Sequence, residues 1–165
     1  MSFQELRRLK KTEGVQEIVL FGSAVKGKTR PRDIDVMVIA EKPIRLNLPS
    51  KYHAVQMSYE QLLKHTLFRT LLFEGKLLDG VAFSSKFGMC PKVIYWYDLK
   101  KLKRIDKSRF SHALFGRSGD GLLTKAKGTR MGNGTIMTPV DKDNEIMQFF
   151  LDWKISFKRR NILLG

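Results

Sequence analysis

Residues 18–39 have the sequence IVLFGSAVKGKTRPRDIDVMVI, and this stretch predicts the fold of the first half of the chain. One apolar run ends at Gly22-Ser23, and a second follows Asp33 and encloses Asp35. Two side chains that lie two residues apart on a strand point to the same side of the sheet. Because like charges so close together repel, we expect a divalent cation, Mg²⁺ or Mn²⁺, between the two carboxylates.

The turn at the end of the first apolar run predicts a phosphate contact. A glycine–serine turn can present backbone N–H groups and a hydroxyl to a phosphate oxygen. Residues 24–32, which follow, contain four basic residues and no acid, so they either neutralise a polyphosphate or form a solvated basic loop. We take the first interpretation, which makes the predicted nucleotide-binding residues Gly22, Ser23, Lys26, Lys28 and Arg30.

Length and charge narrow the class of protein. The 165 residues, 42% of them hydrophobic, suffice for one buried core with an appended subdomain. The formal net charge of +15 predicts attraction to a polyanion, of which nucleic acid is the usual one, although a generally basic proteome would also account for it. The chain has no apolar run of membrane-spanning length, and its start lacks the apolar core of a signal peptide, so we expect a cytoplasmic protein without a membrane partner.

The first half of the chain predicts a small mixed sheet with helices on one side. The pattern of apolar residues and turn signals is that of helix, strand, strand, strand, helix, at residues 2–12, 16–21, 33–39, 52–58 and 58–73. The connection between the second and third strands is too short for a crossover helix. We therefore predict an α+β fold whose core domain comprises residues 1–80.

The second half, residues 81–165, predicts a small basic α+β subdomain. Strands are expected at residues 93–97 and 135–140, then a helix capped by Asp141, and a final edge strand at residues 155–164. Phe110 and Trp96 are expected to lie in its core.

Basic residues are concentrated in this half. Residues 92–130 contain 11 basic and three acidic residues, a net charge of +8. Basic side chains interleaved with aromatic ones are typical of a surface that contacts phosphates and bases. The predicted nucleic-acid contacts are Lys100, Lys101, Lys103, Arg104, Lys107 and Arg109.

The motifs of the first half carry a family likeness. The Gly22-Ser23 turn, the basic spacer and the D-I-D-V sequence that begins at Asp33 resemble the signature of the polymerase-beta-like nucleotidyltransferase superfamily. In size and layout, residues 16–80 are similar to its small, minimal nucleotidyltransferases. The resemblance implies that the turn contacts nucleotide phosphates. It also implies that Asp33 and Asp35 hold Mg²⁺ for transfer of a nucleoside monophosphate from an NTP to an acceptor.

One departure from the family pattern concerns a third carboxylate, which in this family normally lies on the next core strand. The corresponding strand offers Gln56, and a neutral amide supplies no charge and is a poor base. We therefore expect weak or absent transfer unless Glu60, Glu74 or Asp79 substitutes. His53, which alternates with Gln56 along the strand, is expected to pack or hydrogen-bond rather than to ligate.

Three functions are compatible with these features. The first is a metal-dependent nucleotidyltransferase whose acceptor is a nucleic acid or another molecule. The second is a catalytically inert protein of the same fold that binds nucleic acid. The third is the antitoxin component of a toxin–antitoxin pair, a role that the resemblance to minimal nucleotidyltransferases suggests and for which the sequence shows no partner.

Overall fold

A computed structural model describes residues 3–25 and 33–165 of the chain. They form two compact units, Met1–Met89 and Cys90–Gly165. Each unit combines helices with a sheet, which confirms the predicted α+β class. The boundary between them follows Met89, nine residues further along the chain than the sequence predicts. The 3₁₀ segment Phe83–Phe87 belongs to the first unit, and the strand residue Lys76 forms a β-bridge to Ala82 just before it.

The first unit is built on a mixed sheet. Its strand order is β3-β2-β1-β4; β1 is antiparallel to both β2 and β4, and β2 is parallel to β3. The elements are α1 (Gln4–Lys10), β1 (Val15–Phe21), β2 (Ile34–Ala40), β3 (Tyr52–Met57), α2 (Tyr59–Lys64), α3 (Thr66–Glu74) and β4 (Lys76–Leu77).

Helices cover both faces of this sheet, whereas the sequence predicts helices on one side only. On one face, Leu6 of α1 is fully buried with Ile18 of β1 and Val36 of β2. The neighbouring Val19 points to the other face, because successive side chains of a strand alternate. There the end of α3 approaches so closely that a Cβ built on Gly75 would lie 2.9 Å from Val19 Cγ1.

The helix predicted for residues 58–73 is two helices. Its start is confirmed: the Ser58 hydroxyl accepts from Gln61 N–H (3.2 Å), and Ser58 N–H donates to Gln61 Oε1 (3.0 Å). The break lies at His65, which has extended backbone angles and whose Nδ1 accepts a hydrogen bond from Leu67 N–H. The apolar periodicity continues through this break, so it does not reveal a cap inside the pattern.

A buried carboxylate links three elements of the first unit. Glu17 of β1 forms ion pairs with Lys10 of α1 (3.0 Å) and with Lys86 of the 3₁₀ segment (2.9 Å). Burial acts to raise the pKa of Glu17, but the hydrogen bonds and charges of the two lysines outweigh it and hold the pKa below its ordinary value.

The second unit contains an antiparallel sheet with strand order β6-β7-β5-β8. Its elements are β5 (Cys90–Asp98), α4 (Arg104–Phe115), α5 (Leu122–Lys125), β6 (Thr129–Gly132), β7 (Thr135–Pro139), α6 (Asp143–Asp152) and β8 (Ser156–Leu164). β8 is the edge strand that the sequence predicts. Asp141 does not cap α6, because a 3₁₀ turn, Val140–Lys142, precedes the helix. Among the described residues, no helix is long and apolar enough to cross a membrane.

The core of the second unit lies on one face of its sheet. Tyr95 is buried there with Phe110 of α4 and Phe150 of α6, so the prediction for Phe110 is confirmed. The Tyr95 hydroxyl donates to the Asp143 carboxylate, and burial together with that negative charge raises the pKa of Tyr95. Trp96 is not in the core, contrary to the prediction: it is 42% exposed, because it follows the buried Tyr95 and therefore points to the opposite face.

Candidate active site

The end of β1 and the start of β2 bring the glycine–serine turn against a carboxylate. Phe21, the last residue of β1, pairs with Asp35 of β2, and Gly22–Ala24 then form one 3₁₀ turn. Gly22 has φ of +70°, and a Cβ built on it would lie 2.2 Å from Asp35 Oδ2. Glycine is therefore required here twice, for its backbone angle and for the space that the carboxylate occupies.

Asp33 directly precedes β2 and Asp35 is its second residue, so alternation places both side chains on the same face. The Asp33 side chain is 53% exposed, whereas Asp35 is partly buried beside the turn. β3 adds a third polar side chain to this face: His53 pairs with Asp35 in the parallel register, and its Nε2 lies 3.7 Å from Asp33 Oδ1. His53 thus lies next to Asp33 and is the cross-strand neighbour of Asp35.

Gln56 does not lie at this site, and the prediction that it replaces the third carboxylate is wrong. It pairs with Val38, whose side chain is on the opposite, buried face of the sheet. Its amide bonds to the connection that follows β2, accepting from Ile44 N–H (3.1 Å) and donating to the Lys42 carbonyl (2.8 Å). Gln56 is a structural residue, and His53 is the residue that β3 presents to the aspartates.

Two of the substitute carboxylates named from the sequence, Glu60 and Asp79, are engaged with neighbouring residues. Glu60 lies on α2 in an ion pair with Lys64, and the Asp79 carboxylate accepts from Val81 N–H. Glu74 is the last residue of α3. Across the described ranges 3–25 and 33–165, no three His, Cys, Asp or Glu side chains are grouped so as to hold a metal ion.

The predicted phosphate contacts divide into two groups. Gly22 and Ser23 form the turn described above, and Ser23 is partly exposed. The predictions for Lys26, Lys28 and Arg30 lie outside the described residues.

The six predicted nucleic-acid contacts belong to the second unit and are all exposed. They surround the start of α4: two lie in the turn after β5, one directly precedes the helix, and three lie on it. Two of them are near acids, since Lys100 Nζ lies 3.6 Å from Asp98 and Arg109 lies 3.8 Å from Asp106. The six are Lys100, Lys101, Lys103, Arg104, Lys107 and Arg109.

A mixed sheet in which a glycine–serine turn abuts a strand carboxylate is the arrangement that the resemblance to nucleotidyltransferases predicts. Comparison with protein families agrees: residues 3–115 match the nucleotidyltransferase domain family. The match covers more than half of the chain, and the chain belongs to this family. It confirms the polymerase-beta-like resemblance and extends it beyond residues 16–80, through α4. Comparisons with curated proteins and with solved structures find no match.

Proposed function

We propose that this protein is a divalent-metal-dependent nucleotidyltransferase that moves a nucleoside monophosphate from an NTP to an acceptor hydroxyl. The observation that carries the proposal is the fit of Gly22 against Asp35, where the backbone of the turn occupies the space beside the carboxylate. A phosphate bound by that turn would lie next to the paired carboxylates. Membership of the nucleotidyltransferase domain family supports the reaction class.

The donor set fits a hard divalent cation. Asp33 and Asp35 offer carboxylate oxygens from one face of β2, and such oxygens are the ligands that Mg²⁺ and Mn²⁺ take in proteins. Bound there, the ion would supply positive charge to the reacting phosphoryl group. The backbone and hydroxyl of Ser23 would contact a phosphate oxygen, and Lys26, Lys28 and Arg30 would neutralise the rest of the polyphosphate.

His53 gives the site a proton acceptor. Its Nε2 lies beside Asp33, and a neutral imidazole in that position can take the proton of the acceptor hydroxyl. The hydroxyl oxygen then bonds to the α-phosphorus. The bond from that phosphorus to the bridging oxygen breaks, and pyrophosphate leaves with the electron pair.

A label-transfer experiment tests the proposal. The full chain is incubated with α-labelled NTPs, Mg²⁺ or Mn²⁺, and RNA or protein acceptors. We expect label on an acceptor with the wild type and a loss of at least roughly 100-fold in Asp35→Ala. The matched control is Asp152→Ala, which removes an exposed carboxylate of α6 and should leave transfer unchanged. The enzyme proposal is refuted if the wild type transfers no label or if Asp35→Ala transfers label as well as the wild type does.

A second candidate is an inert nucleotidyltransferase-fold protein that binds nucleic acid. It is favoured by two observations: β3 presents an imidazole rather than a carboxylate to the aspartates, and the chain has a net charge of +15. This candidate predicts salt-dependent binding of RNA or DNA that survives the double substitution Asp33→Ala and Asp35→Ala, without label transfer by the wild type.

A further inference from the structure

In the part of the chain that the structure describes, the helices of the second unit pack on one face of its sheet and none of them packs on the other. Phe110 of α4, Leu123 of α5 and Phe150 of α6 all pack against the face that carries Val93 and Tyr95. Because successive side chains of a strand alternate between faces, the strand residues between these core residues point away from the core. The strand registers place six such side chains next to one another, and we call them the open sheet face: Lys92, Ile94, Trp96, Met137, Lys158 and Arg160.

The open sheet face combines an aromatic side chain with basic ones. Trp96 of β5 is 42% exposed and lies directly opposite Lys158 of β8, and two residues further along, Ile94 lies opposite Arg160. Directly opposite residues of an antiparallel pair have Cβ atoms about 5 Å apart. A planar group stacked on the Trp96 ring would therefore have a cation beside it and a second one about 7 Å along the strand.

The cations of this face have no acidic partner. Within the described residues, Lys92, Lys158 and Arg160 form no ion pair, whereas Arg159, which points to the core face, pairs with Asp143. The nearby Asp98 is engaged at the end of β5, where its carboxylate accepts from Lys100 N–H and lies 3.6 Å from Lys100 Nζ. The second unit as a whole has 16 basic and seven acidic residues. Asp98 follows Trp96 by two residues and so lies on the same face, where the described strands place this one acid against three cations.

A cleft lies beside Trp96. It has a volume of about 340 Å³ and lies where β5 ends and β8 begins. Ligand pockets in proteins start at roughly 300 Å³, so a single base fits this space. Its lining is mainly apolar and aromatic, with Lys158 as its one basic residue: Trp96, Tyr97, Asp98, Ser156, Phe157 and Lys158.

We propose that the open sheet face binds a single-stranded polynucleotide, with a base stacked on Trp96 and phosphates on Lys158 and Arg160. An exposed aromatic ring flanked by unpaired cations matches the two components of a single strand, since an unpaired base can leave its neighbours to stack on a side chain. A duplex keeps its bases stacked internally and would use only the charges. The basic residues at the start of α4 lack this combination, because Phe110 beside them is fully buried.

Binding of labelled oligonucleotides to the full chain tests this surface. The probes are a mixed-sequence single-stranded RNA, the same sequence as DNA, and the RNA duplex, with affinity read by fluorescence anisotropy. We expect Trp96→Ala to weaken single-strand binding roughly 10-fold, and Trp96→Phe, which keeps a π-face, to weaken it less. We expect Lys158→Ala with Arg160→Ala to reduce the slope of log K against log salt by about 1.4.

Two matched variants separate the open sheet face from general charge and hydrophobicity. Lys11→Ala with Lys42→Ala removes the same charge from exposed positions of the first unit, and Leu151→Ala truncates an apolar side chain of α6 that is 53% exposed. Both should retain the single-strand affinity within about two-fold. Circular dichroism verifies that every variant is folded.

A second readout reports the stack directly. Single strands should quench the wild-type tryptophan fluorescence, and this quenching should vanish in Trp96→Phe, which retains Trp153 packed against Phe110. The proposal is overturned if wild type binds no single strand, if Trp96→Ala binds as wild type does, if the Lys11 and Lys42 variant loses as much affinity as the Lys158 and Arg160 variant, or if duplex binds equally well. Asp35→Ala should bind normally, so the result is independent of nucleotide transfer.

Discussion

Gly22 is the residue on which the geometry of the candidate site depends most directly. Its φ of +70° is costly for any residue with a Cβ, and the position of that Cβ is taken by Asp35 Oδ2. The two constraints are separate: one acts on the backbone of the turn, and the other acts on the carboxylate. A substitution of Gly22 can therefore be compared with a substitution of a glycine that has a positive φ but free space around its Cβ position.

Gly88 is such a glycine, with φ of +65° and nothing within 4 Å of a built Cβ. We expect Gly88→Ala to lower the free energy of unfolding by about 1 kcal/mol, through the backbone strain alone. Gly22→Ala should cost about 1–2 kcal/mol more, because Asp35 must move, and it should also reduce label transfer. Urea denaturation measures the first effect. Equal losses of stability in the two variants would contradict the crowding of Asp35.

Local residue types were sufficient to predict this part of the site. Gly22, Asp33 and Asp35 are close in sequence, and their pattern reports a turn and a strand face without knowledge of any distant contact. The same holds for the capping box at Ser58, whose partner is three residues away. His65 shows the limit of such patterns. It caps α3 and so ends one helix before the next, but the apolar periodicity of the sequence is the same on both sides of it.

The pairing of β2 with β3 is what the sequence could not supply. Alternation along β3 correctly separates His53 from Gln56, but it does not say which of the two faces the aspartates. That depends on the register, in which Asp35 pairs with His53 and Val38 with Gln56. The prediction that Gln56 takes the position of the family's third carboxylate was therefore wrong because Gln56 lies on the face of the sheet opposite to the aspartates.

The register gives a gain-of-function prediction. His53→Asp should place beside Asp33 a third carboxylate that can also replace the imidazole as proton acceptor, so the variant should be less stable than wild type in EDTA, regain stability in Mg²⁺, and transfer label faster. Thermal unfolding with and without Mg²⁺ measures the first two effects independently of activity.

Gln56→Asp is the matched control for this substitution. It introduces the same charge on the opposite face and loses the bonds to Lys42 and Ile44, so it should destabilise the protein without a larger response to Mg²⁺. A Mg²⁺ response in Gln56→Asp as large as that in His53→Asp would show that the assigned faces are wrong.

For the whole chain, composition shows an excess of positive charge but not which surface combines that charge with an exposed aromatic side chain. The excess of basic residues and their concentration after residue 90 were visible in the sequence, as was the change from a family-like half to a basic half. The exposure of Trp96 was not visible, because Tyr95-Trp96-Tyr97 are all aromatic and only the side on which the helices pack distinguishes them. The proposed polynucleotide surface depends on that distinction.

The two units contain separate hydrophobic cores, and this separation predicts how the chain responds to a cavity. Phe110 is fully buried among the rings of Tyr97, Phe149 and Trp153, so Phe110→Ala should cost about 3–5 kcal/mol in the second unit. We expect hydrogen exchange followed by mass spectrometry to show lost protection in β5 and β7, with β1 and β2 retaining theirs. Leu6→Ala, in the first core, should give the reverse pattern. Loss of protection in both units after either substitution would mean that the chain unfolds as one cooperative body despite its two cores.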